Sequence, residues 1–193
     1  VHDVTVTPDD IERAAARIGT HIRVTPVITV GPELGLPAGT TLKLELLQHT
    51  GSFKPRGAFN RILCSTVPDA GVIAASGGNH AHGLAWAYYR LNVPAIAVMP
   101  HGAPQTKIAG VAHWGATVRL HGETFDEARA FAMQLAERND YRFLSAFDDP
   151  DVIAGQGTVG MEIAALVPDV VIVPIGGGGL AAGVALALHA QGV

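Results

Sequence analysis

Short apolar runs alternate with helical patterns between residues 71 and 147, and this alternation limits what the chain can fold into. The strand patterns are Val72–Ala75, Ala95–Met99, Thr117–Leu120 and Arg142–Phe147, and the helical patterns between them are His82–Leu91, Pro104–His113 and Thr124–Arg138. Strands separated by helices of this length run parallel, and the helices cover both faces of their sheet. The sequence therefore predicts an α/β fold.

Further elements are predicted on both sides of this region. An N-terminal helix begins at Pro8, is capped by Thr7 and ends at Gly19. The other predicted elements are a strand at Thr41–Leu47, a helix from about Pro55, a helix at Gly155–Val167, a strand at Val170–Ile175 and a helix at Leu180–Ala190. Alternation of apolar and polar residues supports the first strand, and continuous apolar sequence supports the second.

Composition excludes several classes of protein. The chain has 193 residues, of which 48% are hydrophobic and 16% are charged, and this balance indicates a folded core. A net charge of −4 argues against nucleic-acid and membrane-surface partners. Cys64 is the single cysteine, so no internal disulfide can form, and the histidines lack the spacing of a zinc site. Without a signal or membrane-spanning pattern, a cytoplasmic soluble protein is expected.

Lys54 is the first candidate for chemistry. It lies between Gly51 and Gly57, where the first predicted strand gives way to a helix from Pro55. The end of a strand is the usual place of a ligand crevice in α/β proteins. A lysine there can lose its proton and attack an aldehyde as an amine. An exposed turn lysine would show the same local pattern, so two later stretches decide between the interpretations.

Two glycine-rich turns each connect an apolar strand to a helix. They are Ser76–His80 (Ser-Gly-Gly-Asn-His) and Gly176–Gly179. The free N–H groups at a helix N-terminus attract anions, although a simple helix cap or a linker would also fit. Together with Lys54, the turns supply an amine for an aldehyde and cradles for a phosphate and a carboxylate. Pyridoxal 5′-phosphate with an amino acid requires all three.

These motifs resemble those of the fold-type II pyridoxal-phosphate enzymes, most closely the threonine/serine dehydratase branch with its serine racemase relatives. The resemblance rests on four stretches in the same order, which are residues 51–58 (GSFKPRGA), 76–81 (SGGNHA), 154–158 (AGQGT) and 174–180 (PIGGGGL). It implies a tryptophan synthase β-like fold with two open, mainly parallel sheets and flanking helices. The large domain would comprise residues 1–57 and 149–193 and the small domain residues 58–148, with the cofactor between them.

The resemblance also implies a role for each motif. Lys54 would form the Schiff base with pyridoxal 5′-phosphate, Phe53 would pack on its ring, and Asn79 would bind its 3-hydroxyl. The residues expected to hold the phosphate are Gly176, Gly177, Gly178 and Gly179, and those expected to hold the substrate carboxylate are Ser76, Gly77, Gly78 and His80. No metal is expected.

The activity implied by the resemblance is β-elimination of water from L-threonine or L-serine, which yields a 2-oxo acid and ammonia. Racemisation of serine and dehydration of 3-hydroxyaspartate are alternatives on the same fold. By resemblance, serine racemases carry a serine two residues before the asparagine as their acid–base group opposite the lysine, and this chain has Gly77 there. Elimination with little racemisation is therefore expected.

Two alternatives lie outside this family. Gly177, Gly179 and Ala182 match the G-x-G-x-x-A dinucleotide fingerprint, which would suit a nucleotide-binding oxidoreductase. A non-catalytic binding fragment is the other alternative, because family members are longer and a C-terminally truncated chain is expected. For partners, we expect a free amino acid and a second copy of the chain in a homo-oligomer, without nucleic acid or membrane.

Overall fold

The computed structural model describes residues 5–193, in which helices and strands alternate. The α-helices are α1 (Pro8–Ile18), α2 (Lys54–Leu63), α3 (Asn79–Leu91), α4 (Gln105–His113), α5 (Phe125–Asn139), α6 (Pro150–Ala164) and α7 (Gly179–Ala190). The strands are β1 (Val27–Val30), β2 (Thr40–Lys43), β3 (Val72–Ala75), β4 (Ala95–Met99), β5 (Thr117–Leu120) and β6 (Arg142–Phe143). Short 3₁₀ turns occupy Pro32–Leu34, Glu45–Leu47 and His49–Gly51.

Strands β3 to β6 form a parallel sheet in the order β5-β4-β3-β6. Its register pairs Ile73 with Ile96 and with Phe143, and Ala97 with Val118. Because successive side chains of a strand point to opposite faces, both faces carry apolar residues and both are covered. Alanines of α3 pack on one face with Val111 of α4, and alanines of α5 pack on the other face. The predicted α/β class is confirmed.

A helical layer of α1, α2, α6 and α7 packs beside this sheet. Its helices approach closely because glycines face one another at the crossings. A Cβ placed at Gly155 of α6 would lie 2.6 Å from Gly57 Cα of α2. A Cβ placed at Gly183 of α7 would lie 2.6 Å from the Gly157 nitrogen of α6. Any larger side chain would force these helices apart, so the AGQGT stretch is in part a packing motif.

Several predicted elements agree with the structure. The strands β3, β4 and β5 have the predicted bounds, and α5 begins with the predicted capping box between Thr124 and Glu127. Helix α1 has its own capping box between Thr7 and Asp10. The strand predicted at Arg142–Phe147 ends at Phe143, because only Arg142 and Phe143 pair with β3.

The strand predicted at Thr41–Leu47 is wrong in its second half. Strand β2 ends at Lys43, and Glu45–Leu47 forms a 3₁₀ turn. The predicted apolar face does not form, since Leu42 and Leu46 are both exposed. β2 pairs antiparallel with β1 in a separate two-stranded sheet. Neither Leu42 nor Leu46 belongs to a hydrophobic core cluster of the described residues.

The strand predicted at Val170–Ile175 is absent. The segment runs without regular secondary structure, and Val170, Ile172 and Ile175 are at least 75% exposed. A strand needs a neighbour for its backbone hydrogen bonds, and no strand within residues 5–193 pairs with it. The second of the two expected sheets is thus represented here only by the β1–β2 pair.

The division into two domains stays a prediction. The first predicted boundary, between residues 57 and 58, falls inside α2, and residues 1–4 of the predicted large domain lie outside the described part. Within residues 5–193, no helix is both long and apolar enough to cross a membrane. The same residues contain no cluster of three or more His, Cys, Asp or Glu side chains that could hold a metal ion.

Candidate active site

Lys54 is the first residue of α2, and Pro55 follows it at a position where a missing N–H is tolerated. Its Nζ donates a hydrogen bond to the carbonyl oxygen of Ala146, 2.9 Å away, and lies 5.1 Å from the centroid of the Phe53 ring. Burial lowers the pKa of the Lys54 amine below its usual 10.5, because the charged form loses hydration. This lysine is therefore biased towards the neutral amine.

Helix α3 lies directly against Lys54 at Gly83. A Cβ placed at Gly83 would lie 2.9 Å from Lys54 Cβ and 3.0 Å from the Lys54 carbonyl carbon. Asn79 lies one helical turn before Gly83, on the same side of α3. The glycine in the middle of α3 thus allows the helix to bring its N-terminal turn to the lysine.

The Ser76–His80 turn contains one buried, unpaired group. Ser76 Oγ accepts a hydrogen bond from the Gly78 nitrogen at 3.1 Å, which closes the turn. His80 is 4% exposed, and its Nε2 has no partner among the described residues. Burial and the positive charge of Lys54 lower the pKa of His80 to about 3, so His80 is neutral at physiological pH. Asn79 is exposed, and its Oδ1 accepts a hydrogen bond from Lys107 Nζ at 2.8 Å.

The glycine run leads into α7, as predicted, but its residues differ in surroundings. A Cβ at Gly176 or at Gly178 would meet nothing within 4 Å, and Gly178 adopts a φ of 88°. A Cβ at Gly177 would lie 2.1 Å from the Phe147 ring, and one at Gly179 would lie 3.0 Å from the Phe147 carbonyl oxygen. No side chain of the described residues caps the first turn of α7, so its N–H groups are available to an anion.

The segment Ala146–Phe147 joins these parts. Ala146 accepts the hydrogen bond of Lys54, and the next residue, Phe147, contacts the glycine run. The segment therefore connects an amine biased towards neutrality with an uncapped helix N-terminus and its open glycines. The exposed Asn79 amide lies one helical turn before Gly83, which contacts Lys54. These groups fit the aldehyde, the phosphate and the 3-hydroxyl of pyridoxal phosphate, respectively.

Phe53 packs mainly on the helical layer. Its ring contacts the apolar cluster of α6 and α7, which includes Val159, Ile163 and Val184. Core residues of the helical layer thus hold the Phe53 ring in place. The role of Phe53 stays a prediction, as do the roles of the other candidate residues.

The sequence interpretation missed Arg56, which anchors the lysine stretch. Arg56 is fully buried and donates to Glu45 (2.7 and 2.9 Å), to Glu162 (2.6 and 3.0 Å) and to Thr158 (3.0 Å). Burial opposes its charge, but the two carboxylates outweigh burial and raise the pKa of Arg56 above its usual value. Lys43 pairs with Glu162 as well, which makes a network of two cations and two anions. An arginine flanked by small and apolar residues was the only sequence signal.

Comparison with known proteins identifies the family. Residues 18–193 match the family described as pyridoxal-phosphate dependent enzyme. The L-threonine ammonia-lyase of Thermotoga maritima is 50% identical over 154 residues, which are 78% of this chain and 38% of that protein. A catabolic L-threonine dehydratase of Escherichia coli strain K12 is 41% identical over 203 residues, which cover 97% of this chain and 58% of that protein.

A solved structure of maize serine racemase superposes with a TM-score of 0.88 at 33% identity, covering 96% of this chain and 58% of that one. The chain therefore spans between 38% and 58% of the length of these three proteins. The family match covers the lysine stretch, the Ser76–His80 turn and the glycine run, and the cofactor of this family is pyridoxal phosphate rather than a dinucleotide. The chain belongs to the pyridoxal-phosphate-dependent enzymes.

Proposed function

We propose that the protein containing this chain is an ammonia-lyase that eliminates water from L-threonine or L-serine and releases a 2-oxo acid and ammonia. The observation that carries the proposal is the partly buried Lys54, whose amine has a lowered pKa and whose Cβ lies against Gly83 of α3. The threonine-specific names of the two sequence relatives support the substrate class.

Each part of the site has a task in this proposal. Lys54 would hold the cofactor aldehyde and, when freed, take the α-proton of the substrate as a neutral amine. The N–H groups of Gly176–Gly179 would bind the phosphate, and the Ser76–His80 turn would bind the substrate carboxylate. The chemistry that pyridoxal phosphate supplies when bound is withdrawal of electrons from the α-carbon, which makes that proton removable. The two halves of the site would come from segments 1–57 with 149–193 and from segment 58–148.

Burial favours the neutral form of the Lys54 amine, which the proposed reaction requires. A protonated lysine cannot accept the α-proton, and an amine with an unperturbed pKa is almost wholly protonated at neutral pH. Removal of water from around Lys54 lowers this pKa, and the Ala146 carbonyl holds the amine in place through one of its N–H bonds. His80 adds no competing positive charge, because it is neutral.

Reduction of the cofactor-loaded enzyme with borohydride tests the assignment. Peptide mapping is expected to find the pyridoxyl label on Lys54. Lys43 and Lys107 are internal controls, since Lys43 pairs with Glu162 and Lys107 with Asn79. A label on either control lysine would remove Lys54 from the proposed role.

Serine racemisation is the second candidate, because maize serine racemase shares the fold. We expect the acid–base group of a racemase at position 77, and this chain has Gly77 there, with no side chain to protonate the α-carbon from the face opposite Lys54. A Cβ at Gly77 would make ordinary contacts of 3.6 Å with Pro100 Cδ and 3.7 Å with Ala103 Cβ, and Gly77 is not among the positive-φ residues. A serine therefore fits there without backbone strain.

Chiral chromatography of L-serine incubated with the loaded enzyme separates the two candidates. Pyruvate with little D-serine is expected, and D-serine formed at a rate comparable to pyruvate would favour the racemase. Gly77→Ser is expected to increase D-serine formation, whereas the matched Gly77→Ala variant adds bulk without an acid–base group and is not. We further propose that the enzyme is a homo-oligomer, which light scattering of the purified protein tests. We also propose that it acts in the cytoplasm, which cell fractionation tests.

A further inference from the structure

The side chain of Asn79 is held by one partner at its carbonyl end. Lys107 Nζ donates to Asn79 Oδ1 at 2.8 Å. An ammonium group can only donate hydrogen bonds, whereas a carboxamide accepts at its oxygen and donates at its nitrogen. The bond therefore decides which end of the amide faces Lys107, and it leaves the NH₂ group as the end free to donate elsewhere.

The position of Lys107 is set by helix packing. Lys107 lies in the first turn of α4, which begins after Pro104. One turn later, Gly110 allows α4 to approach α3, since a Cβ there would lie 2.6 Å from His82 Nε2. Burial and the positive charge of Lys107 lower the pKa of His82, so a neutral ring lies beside the ammonium group. The reach of Lys107 to Asn79 thus follows from the α3–α4 contact.

We propose that Lys107 is a positioning residue that orients the Asn79 amide, so that its NH₂ group donates to the 3-oxygen of pyridoxal phosphate. The inference rests on the proposed function and goes beyond it by assigning a role to a residue on a second helix. Without Lys107, an exposed carboxamide can rotate by half a turn and present its oxygen to the 3-oxygen, where two acceptors repel. The positive charge also polarises the amide and strengthens its N–H donors.

The test compares binding of two probes by the full-length, cofactor-free enzyme. The probes are pyridoxal 5′-phosphate and its 3-deoxy analogue, which lacks the oxygen that Asn79 would bind. Lys107→Met is expected to weaken binding of pyridoxal phosphate about three- to tenfold, the equivalent of about one neutral hydrogen bond, because Lys107 acts only through Asn79. Binding of the 3-deoxy analogue is expected to stay unchanged.

Two further variants make the test specific. Lys107→Arg keeps a cationic donor and is expected to restore most of the affinity for pyridoxal phosphate. In an Asn79→Ala background, Lys107→Met is expected to have no further effect, because a residue that acts only through Asn79 has nothing left to orient.

Each other outcome overturns the inference in a distinguishable way. An equal loss for both probes would show that Lys107 acts on the phosphate or on the fold. An unchanged affinity for pyridoxal phosphate in Lys107→Met, with normal binding by the unaltered enzyme, would overturn the orienting role alone. An unaltered enzyme that binds neither probe would overturn the proposed function and this inference together.

Discussion

Arg56→Met is expected to destabilise the fold by about 3 to 5 kcal/mol, the usual cost of removing one partner from a buried ion pair. Arg56 is fully buried, and the side chains of Glu45 and Glu162 are only 15% and 17% exposed. After the change, Glu162 keeps Lys43 as a cationic partner, whereas Glu45 keeps only the Thr25 hydroxyl at 2.6 Å. Most of the cost should therefore arise at Glu45.

Urea unfolding of the purified protein measures this cost. Arg13→Met is the matched control, because its ion pair with Asp10 is exposed and should contribute less than about 1 kcal/mol. Adding Glu45→Gln to Arg56→Met should recover part of the loss, since it removes the unpaired charge. If Arg56→Met costs no more than Arg13→Met, the network does not anchor the lysine stretch.

Three further predictions concern substitutions at His80, Gly176 and Gly83. The pKa of His80 is about 3 in the folded protein and 6.5 for a free histidine, which represents the unfolded chain. As the pH falls from 6.5 towards 3, the unfolded chain therefore binds a proton on His80 that the folded protein does not bind. Stability should then drop by about 1.4 kcal/mol per pH unit from this group, and His80→Gln should flatten the slope in urea titrations. Gly176→Asp should block spectroscopic titration with pyridoxal phosphate by charge repulsion, while Gly176→Ala, which has free space, should not. Gly83→Ala should lower stability by about 1 to 3 kcal/mol through its clash with Lys54, and Gly102→Ala, which meets nothing, should not.

The sequence predicted β3 and β4 well because these two strands lie in the middle of the sheet and their residues are buried or half-buried. Val72–Ala75 and Ala95–Met99 are short apolar runs between helical patterns, so local pattern and final environment agree. Val170–Ile175 shows the opposite case. Its apolar sequence favours a strand, but a strand requires a pairing neighbour, and periodicity along one segment carries no information about that neighbour.

The candidate site was predictable as motifs but not as contacts. Lys54, Asn79 and the glycine run stand out because each follows an apolar strand pattern or opens a helix. Ala146 contributes only a backbone carbonyl, which any residue type could supply, so no sequence signal marks it. Gly83 did carry a signal, since a glycine inside a helix often marks close approach of another backbone. That signal does not say which element approaches.

The four glycines of the run have different surroundings, which four identical letters in the sequence do not reveal. Gly176 and Gly178 face open space, so their missing side chains leave room for an anion. Gly177 instead makes room for the Phe147 ring, which a methyl group there would meet at 2.1 Å. Phe147 directly follows the carbonyl that holds Lys54 Nζ. A side chain at Gly177 would therefore displace Phe147 and, with it, the neighbouring Ala146 carbonyl that accepts from the lysine, so the predicted phosphate cradle and the amine are linked through two adjacent residues.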